Sequence, residues 1–140
     1  MKQVPVIYWS GTGNTQMMAE AVAAAITEAG AEALLKEVTS TSADEAAQYE
    51  AIALGCPAMG CEVLEECDFE PFFTELEGKL GGKKVGLFGS YGWGGDYMQA
   101  WQDRVNDAGA ELVADGVLAM GTPDDEALAK CAELGKLLAQ

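Results

Sequence analysis

Ser10-Gly11-Thr12-Gly13-Asn14-Thr15 sets three hydroxyls, one amide and two glycines in six consecutive positions. It follows the apolar run Val4-Pro5-Val6-Ile7-Tyr8 and opens a segment of helical period from Gln16 to Ala29. A strand, a small-residue loop and a helix in that order form a phosphate-binding arrangement. The glycines let the backbone wrap tightly, and amide N–H groups converge on an anion at the positive end of the helix. No Lys stands in or after the loop, so it is not the G-x-x-x-x-G-K-[ST] loop of nucleoside triphosphatases, and Gln16 breaks the G-x-G-x-x-G dinucleotide spacing. A hydroxyl-rich loop without a cation suits a single terminal phosphate held by hydrogen bonds. Helix capping alone needs one such residue, not four around two glycines.

Two further stretches carry chemistry. Cys56-Pro57-Ala58-Met59-Gly60-Cys61-Glu62 follows the run Ala51-Ile52-Ala53-Leu54-Gly55, and Ser90-Tyr91-Gly92-Trp93-Gly94-Gly95-Asp96 follows Val85-Gly86-Leu87-Phe88-Gly89. Trp93 sits among glycines, where no amphipathic pattern buries it. It suits an aromatic plate stacked on a planar ligand, with Met59 as a soft contact on the opposite face. Glu62 can accept a hydrogen bond from a ring N–H. The plainer alternatives are a tryptophan folded onto the surface and a solvated carboxylate. A planar ring bearing an N–H and a single phosphate tail describes flavin mononucleotide, FMN.

The elements that must position these loops alternate. The first helix has an apolar face of Met18, Val22, Ala25, Ile26 and Ala29 and stops at Gly30. A second strand spans Ala33 to Val38, and Ser42-Ala43-Asp44-Glu45 reads as a capping box opening a short helix. The nearly all-apolar third strand fits a parallel sheet covered on both faces. Phe69, Phe72, Phe73, Leu76 and Leu80 mark a helix that Gly81-Gly82 breaks; Val85 to Gly89 is the fourth strand, with Ser90 and Tyr91 in its exit loop. Met98, Trp101, Val105 and Ala108 mark the next helix, closed by Gly109. A fifth strand lies within Leu112 to Met120, and Asp124 to Leu138 forms the last helix, with Leu128, Cys131, Leu134 and Leu138 facing inward. Strands alternating with helices give an α/β fold, a doubly wound parallel sheet whose ligands bind beyond the carboxyl ends of the strands.

At 140 residues the chain is expected to be one domain, 1–140, with no membrane-spanning run. Its net charge of −15, from 23 acidic and 8 basic side chains, argues against nucleic acid or anionic membrane and for partner proteins with basic docking surfaces. With no His, histidine-based nucleophile activation and metal ligation are excluded. Cys56, Cys61, Cys67 and Cys131 form neither a C-x-x-C pair nor an iron–sulfur spacing, and no Arg lies six positions after any of them, as a cysteine phosphatase requires. Most of these thiols are expected to be small buried apolar groups.

The motifs Tyr8-Trp9-Ser10-Gly11-Thr12-Gly13-Asn14-Thr15, Ala58-Met59-Gly60 with Glu62, and Gly89-Ser90-Tyr91-Gly92-Trp93-Gly94 resemble those of short-chain flavodoxins, and the resemblance covers the whole chain. It is the resemblance, not the spacing, that implies a five-stranded sheet of order 2-1-3-4-5 with FMN at the switch between strands one and three. It implies phosphate binding by Ser10, Thr12, Asn14 and Thr15 around Gly11 and Gly13. Met59 and Trp93 would flank the ring, and Glu62 would bond its N3–H. Pro57, Ala58, Gly60, Cys61, Ser90, Tyr91, Gly92 and Gly94 would complete the cofactor site. The implied role is a low-potential one-electron carrier with non-covalently bound FMN and not an enzyme; a monomer is expected, and with no long apolar run in the sequence a cytoplasmic location is the default expectation. An FMN-dependent quinone reductase would need one ring face open, which Met59 and Trp93 would cover. A receiver-type regulatory domain needs an acidic cluster after strand one, where Tyr8 and Trp9 stand, and an Asp where strand three ends in Gly55-Cys56.

Overall fold

The run Ala51–Gly55 has no polar side chain, and in the computed structural model it is the central strand β3, buried at every position. The structure describes residues 2–9, 13–57, 67–91 and 96–140. Around β3 the chain lays down β1 (Gln3–Tyr8), β2 (Glu32–Glu37), β4 (Lys84–Tyr91), β5 (Glu111–Leu112) and β6 (Val117–Met120). The helices are α1 (Asn14–Glu28), α2 (Ala43–Ala46), α3 (Phe69–Glu77), α4 (Asp96–Asp107) and α5 (Asp125–Ala139). The parallel sheet has the order β2-β1-β3-β4-β5, with β6 also on β4.

Alternation along the strands builds two cores. Ile7, Ile52, Leu54, Val85 and Leu87 face α2, α3 and α4. Val4, Val6, Tyr8, Ala51, Ala53 and Phe88 face α1 and α5. Each strand residue changes face from its neighbour, so a sheet apolar throughout needs helices on both sides.

Several boundaries differ from the expected ones. The fifth strand is split: β5 pairs with Lys84 and Val85, and β6 with Phe88 to Tyr91. Between them the Gly116 N–H donates to the Gln102 side-chain oxygen at 2.5 Å, and a Cβ at Gly116 would stand 2.3 Å from the Met98 sulfur. Close approach to α4 thus replaces ladder pairing there. β6 in turn carries β4 two residues past Gly89, so Ser90 and Tyr91 lie in a strand and not in its exit loop. Val38 opens a 3₁₀ turn after β2. α3 ends at Glu77, ahead of Gly81-Gly82, although Leu80 is still buried. On α5, Ala127 is buried where Leu128 was expected and Leu128 is half-buried; Ala29, placed on the inner face of α1, is exposed. The capping box holds on one side, the Ser42 hydroxyl accepting from the Glu45 N–H at 3.2 Å; the Glu45 carboxylate accepts from Thr41 instead.

Candidate functional site

β1 and β3 end in register, while β4 runs three residues further, to Tyr91. Tyr8 pairs with Gly55, and Gly55 with Phe88. The Trp9 N–H donates to the Gly55 carbonyl at 3.0 Å, and the Cys56 N–H to the Phe88 carbonyl at 3.1 Å. From β1 the chain moves outward to β2 and returns across β1 to β3, so the order reverses between β1 and β3. That is where an open α/β sheet receives its ligand.

Gly13 caps α1 at φ 92°, a left-handed conformation natural to glycine. It supplies no side-chain cap, and apart from its own and its neighbours' atoms no described heavy atom lies within 4 Å of where its Cβ would stand. The first turn of α1 carries no acidic side chain, whereas those of α2, α3 and α5 all carry Asp or Glu. A helix end without a carboxylate keeps its partial positive charge for an external anion. Asn14 and Thr15 occupy that turn; Asn14 is half-buried and Thr15 buried. The Thr15 hydroxyl lies 3.2 Å from that of Ser90 on β4, which is also buried. Tyr91 is half-buried beside Met120, and its carbonyl accepts the Gly121 N–H at 2.9 Å. This donor set fits the phosphate end of FMN.

Cys56 leaves β3 buried, and the half-buried Pro57 follows it. The buried Tyr97 hydroxyl donates to the Cys56 carbonyl at 2.9 Å, and burial, with Cys56 nearby, raises its pKa well above the usual tyrosine value. Sequence reading missed Tyr97: a tyrosine in a helix gives no sign that it reaches a strand exit 41 residues earlier. The one available signal is Gly89, where a Cβ would stand 2.1 Å from the Cys56 carbonyl oxygen and 2.2 Å from the Tyr97 hydroxyl.

The structure therefore brings Gly13, Asn14, Thr15, Pro57, Ser90 and Tyr91 to one edge of the sheet. Ser10, Gly11, Thr12, Ala58, Met59, Gly60, Cys61, Glu62, Gly92, Trp93 and Gly94 lie outside the described residues. Of the thiols expected to be buried, Cys56 and Cys131 are, and Cys67 is exposed. Among the described residues no helix is long and apolar enough to cross a membrane.

The family model described as Flavodoxin matches residues 6–135. The chain is 48% identical over 138 residues to the flavodoxin of Megasphaera elsdenii, covering 98% of each, and 46% identical over 135 residues to that of Clostridium beijerinckii, covering 96% of this chain and 97% of the relative. The solution structure of two-electron reduced Megasphaera elsdenii flavodoxin superposes with a TM-score of 0.86, covering 97% of this chain and 98% of that one. Matched in sequence along almost its whole length and in the order of its strands, this chain belongs to the flavodoxin family, FMN-binding electron-transfer proteins rather than enzymes.

Proposed function

We propose that residues 1–140 form a single-domain, monomeric, cytoplasmic carrier of single electrons at low potential, serving partner proteins with basic docking surfaces. The observation that carries the reading is the acid-free N-terminus of α1, fastened by Thr15 and Ser90 to the stretch of β4 that runs past the ends of β1 and β3. FMN, when bound, supplies reversible uptake of single electrons. The protein holds it without a covalent bond. Ser10, Thr12, Asn14 and Thr15 donate to the phosphate, with Gly11 and Gly13 letting the backbone close around it. Met59 and Trp93 cover the ring and keep water from it, Glu62 accepts from its N3–H, and backbone from Pro57 to Cys61 and from Ser90 to Gly94 lines the remainder.

Titrating the full-length chain with FMN and with riboflavin, then reducing the FMN form stepwise, tests this. FMN should bind far more tightly than riboflavin, and reduction should resolve into two one-electron steps, the second low in potential. Equal affinities would show that the first loop is not a phosphate cradle. A single two-electron wave would remove the one-electron reading.

A further inference from the structure

Three residues on one stripe of α4 hold the surroundings of the β3 exit. Tyr97, in its first turn, donates to the Cys56 carbonyl at 2.9 Å. Trp101, one turn on, meets Phe69 edge to face at 5.5 Å and Phe73 at 5.9 Å. Arg104, a further turn on, bonds Glu70 and Glu77. Positions i, i+4 and i+7 share a helix face, so α4 supports both the residue that leaves β3 and the helix α3 that follows.

Cys56 is fixed on two sides. Its N–H donates to Phe88 on β4, and its carbonyl accepts from Tyr97 on α4. The second bond exists because position 89 has no Cβ to displace the hydroxyl. Buried tyrosine hydroxyls find partners, but packing alone would be met by a phenylalanine. The hydroxyl here orients a peptide plane at the switch between β1 and β3.

We propose that Tyr97 is a positioning residue for the flavin ring: its hydroxyl sets the direction in which the chain leaves β3 through Pro57. The inference rests on the cofactor placement proposed above. The side proposed for the phosphate is built on a different pair, Thr15 on α1 and Ser90 on β4, whose hydroxyls lie 3.2 Å apart. Loss of the Tyr97 hydroxyl should therefore be felt by the ring and not by the phosphate.

Tyr97→Phe keeps the aromatic ring and removes the bond. In the full-length chain it should weaken FMN and riboflavin by the same factor, about 3- to 10-fold for one hydrogen bond, leaving their ratio at the wild-type value. Urea unfolding of the flavin-free protein, measured in parallel, reports the purely structural contribution. Unchanged affinity for both flavins, whatever the shift in urea midpoint, would overturn the proposal, as would unequal losses. Should wild-type protein bind the two flavins equally, the phosphate reading fails, while the riboflavin comparison between wild type and Tyr97→Phe still decides this one.

Discussion

The Thr15 and Ser90 hydroxyls lie 3.2 Å apart and join the first turn of α1 to β4 across 75 residues of chain. Two hydroxyls carry two protons, and one bond between them uses one, so the pair keeps a donor for an outside acceptor. Thr15→Val should weaken FMN binding by about 1.5–3 kcal/mol, the worth of a hydrogen bond to a charged group. Ser90→Ala should cost about 0.5–1.5 kcal/mol of folding stability and weaken FMN more than riboflavin. Titration with both flavins and urea unfolding check the two effects. Equal losses for both flavins would separate this pair from the phosphate.

Arg104, the single arginine, grips Glu70 with two parallel bonds of 2.8 and 2.9 Å, bonds Glu77 at 3.0 and 3.1 Å, and lies 4.7 Å over the Phe73 ring. Its bond to Glu70 holds that carboxyl below its ordinary 4.5, against partial burial and with help from Thr74. Unfolded Glu70 takes up its proton first as pH falls, so this contribution is present above about 4.5 and is lost below it, through the lower folded value. Arg104→Met should lower stability near neutral pH by about 1–2 kcal/mol and flatten the acid limb of the stability profile. Arg104→Lys should recover little, because an ammonium lacks the planar fork. Urea midpoints across pH 3–7 measure both. An acid limb unchanged in Arg104→Met would assign it to other carboxylates.

Cys131 gives an alkaline counterpart. It is buried between α5 and α1, and burial pushes its thiol up to about 12 from 9.0. The unfolded thiol ionises first, so stability should fall as pH rises from about 9 toward about 12, and Cys131→Ala should remove part of that fall. In a Cys61→Ser background at pH 8, a thiol reagent should modify the exposed Cys67 quickly and reach Cys56 and Cys131 only on unfolding. Fast modification of three thiols in folded protein would contradict the burial.

Legibility followed the range of the interaction. β3 was readable because five apolar residues without a turn signal can be little else in an alternating chain. The start of α5 was readable from Asp124, whose side chain accepts the Ala127 N–H at 2.8 Å. The length of β4 was not, since Ser90 and Tyr91 stand between Gly89 and Gly92 in the sequence and are paired by β6. The break between β5 and β6 depends on Gln102 and Met98 of α4, which local sequence around Gly116 does not show. At the site, the loop proposed to hold the phosphate stands out by composition, whereas the Thr15–Ser90 and Tyr97–Cys56 bonds join residues that folding alone makes neighbours.

Charge should set the low potential. Lys2, Lys83 and Lys84 lie at the amino ends of β1 and β4, and no Lys or Arg occurs in residues 9–16, 56–77 or 88–103, around the strand exits. Glu62, Glu65, Glu66, Asp68 and Asp96 occur in those same stretches. A carboxylate about 10 Å from an anionic reduced ring disfavours it by roughly 0.4–1.7 kcal/mol before screening, or about 20–70 mV for one electron. Mobile ions at 0.1 M screen exposed charges over about 10 Å, so added salt should relieve part of this sum. The second reduction potential should therefore rise between 0.02 and 0.5 M sodium chloride, and rise again in Glu62→Gln, whose loss of one charge leaves a hydrogen-bond acceptor in place. The salt response of that variant should be smaller than that of wild type. Potentiometric titration at constant pH reads all three shifts. A second potential that ignores both salt and Glu62→Gln would move its origin from the acidic strand exits to the packing around the ring.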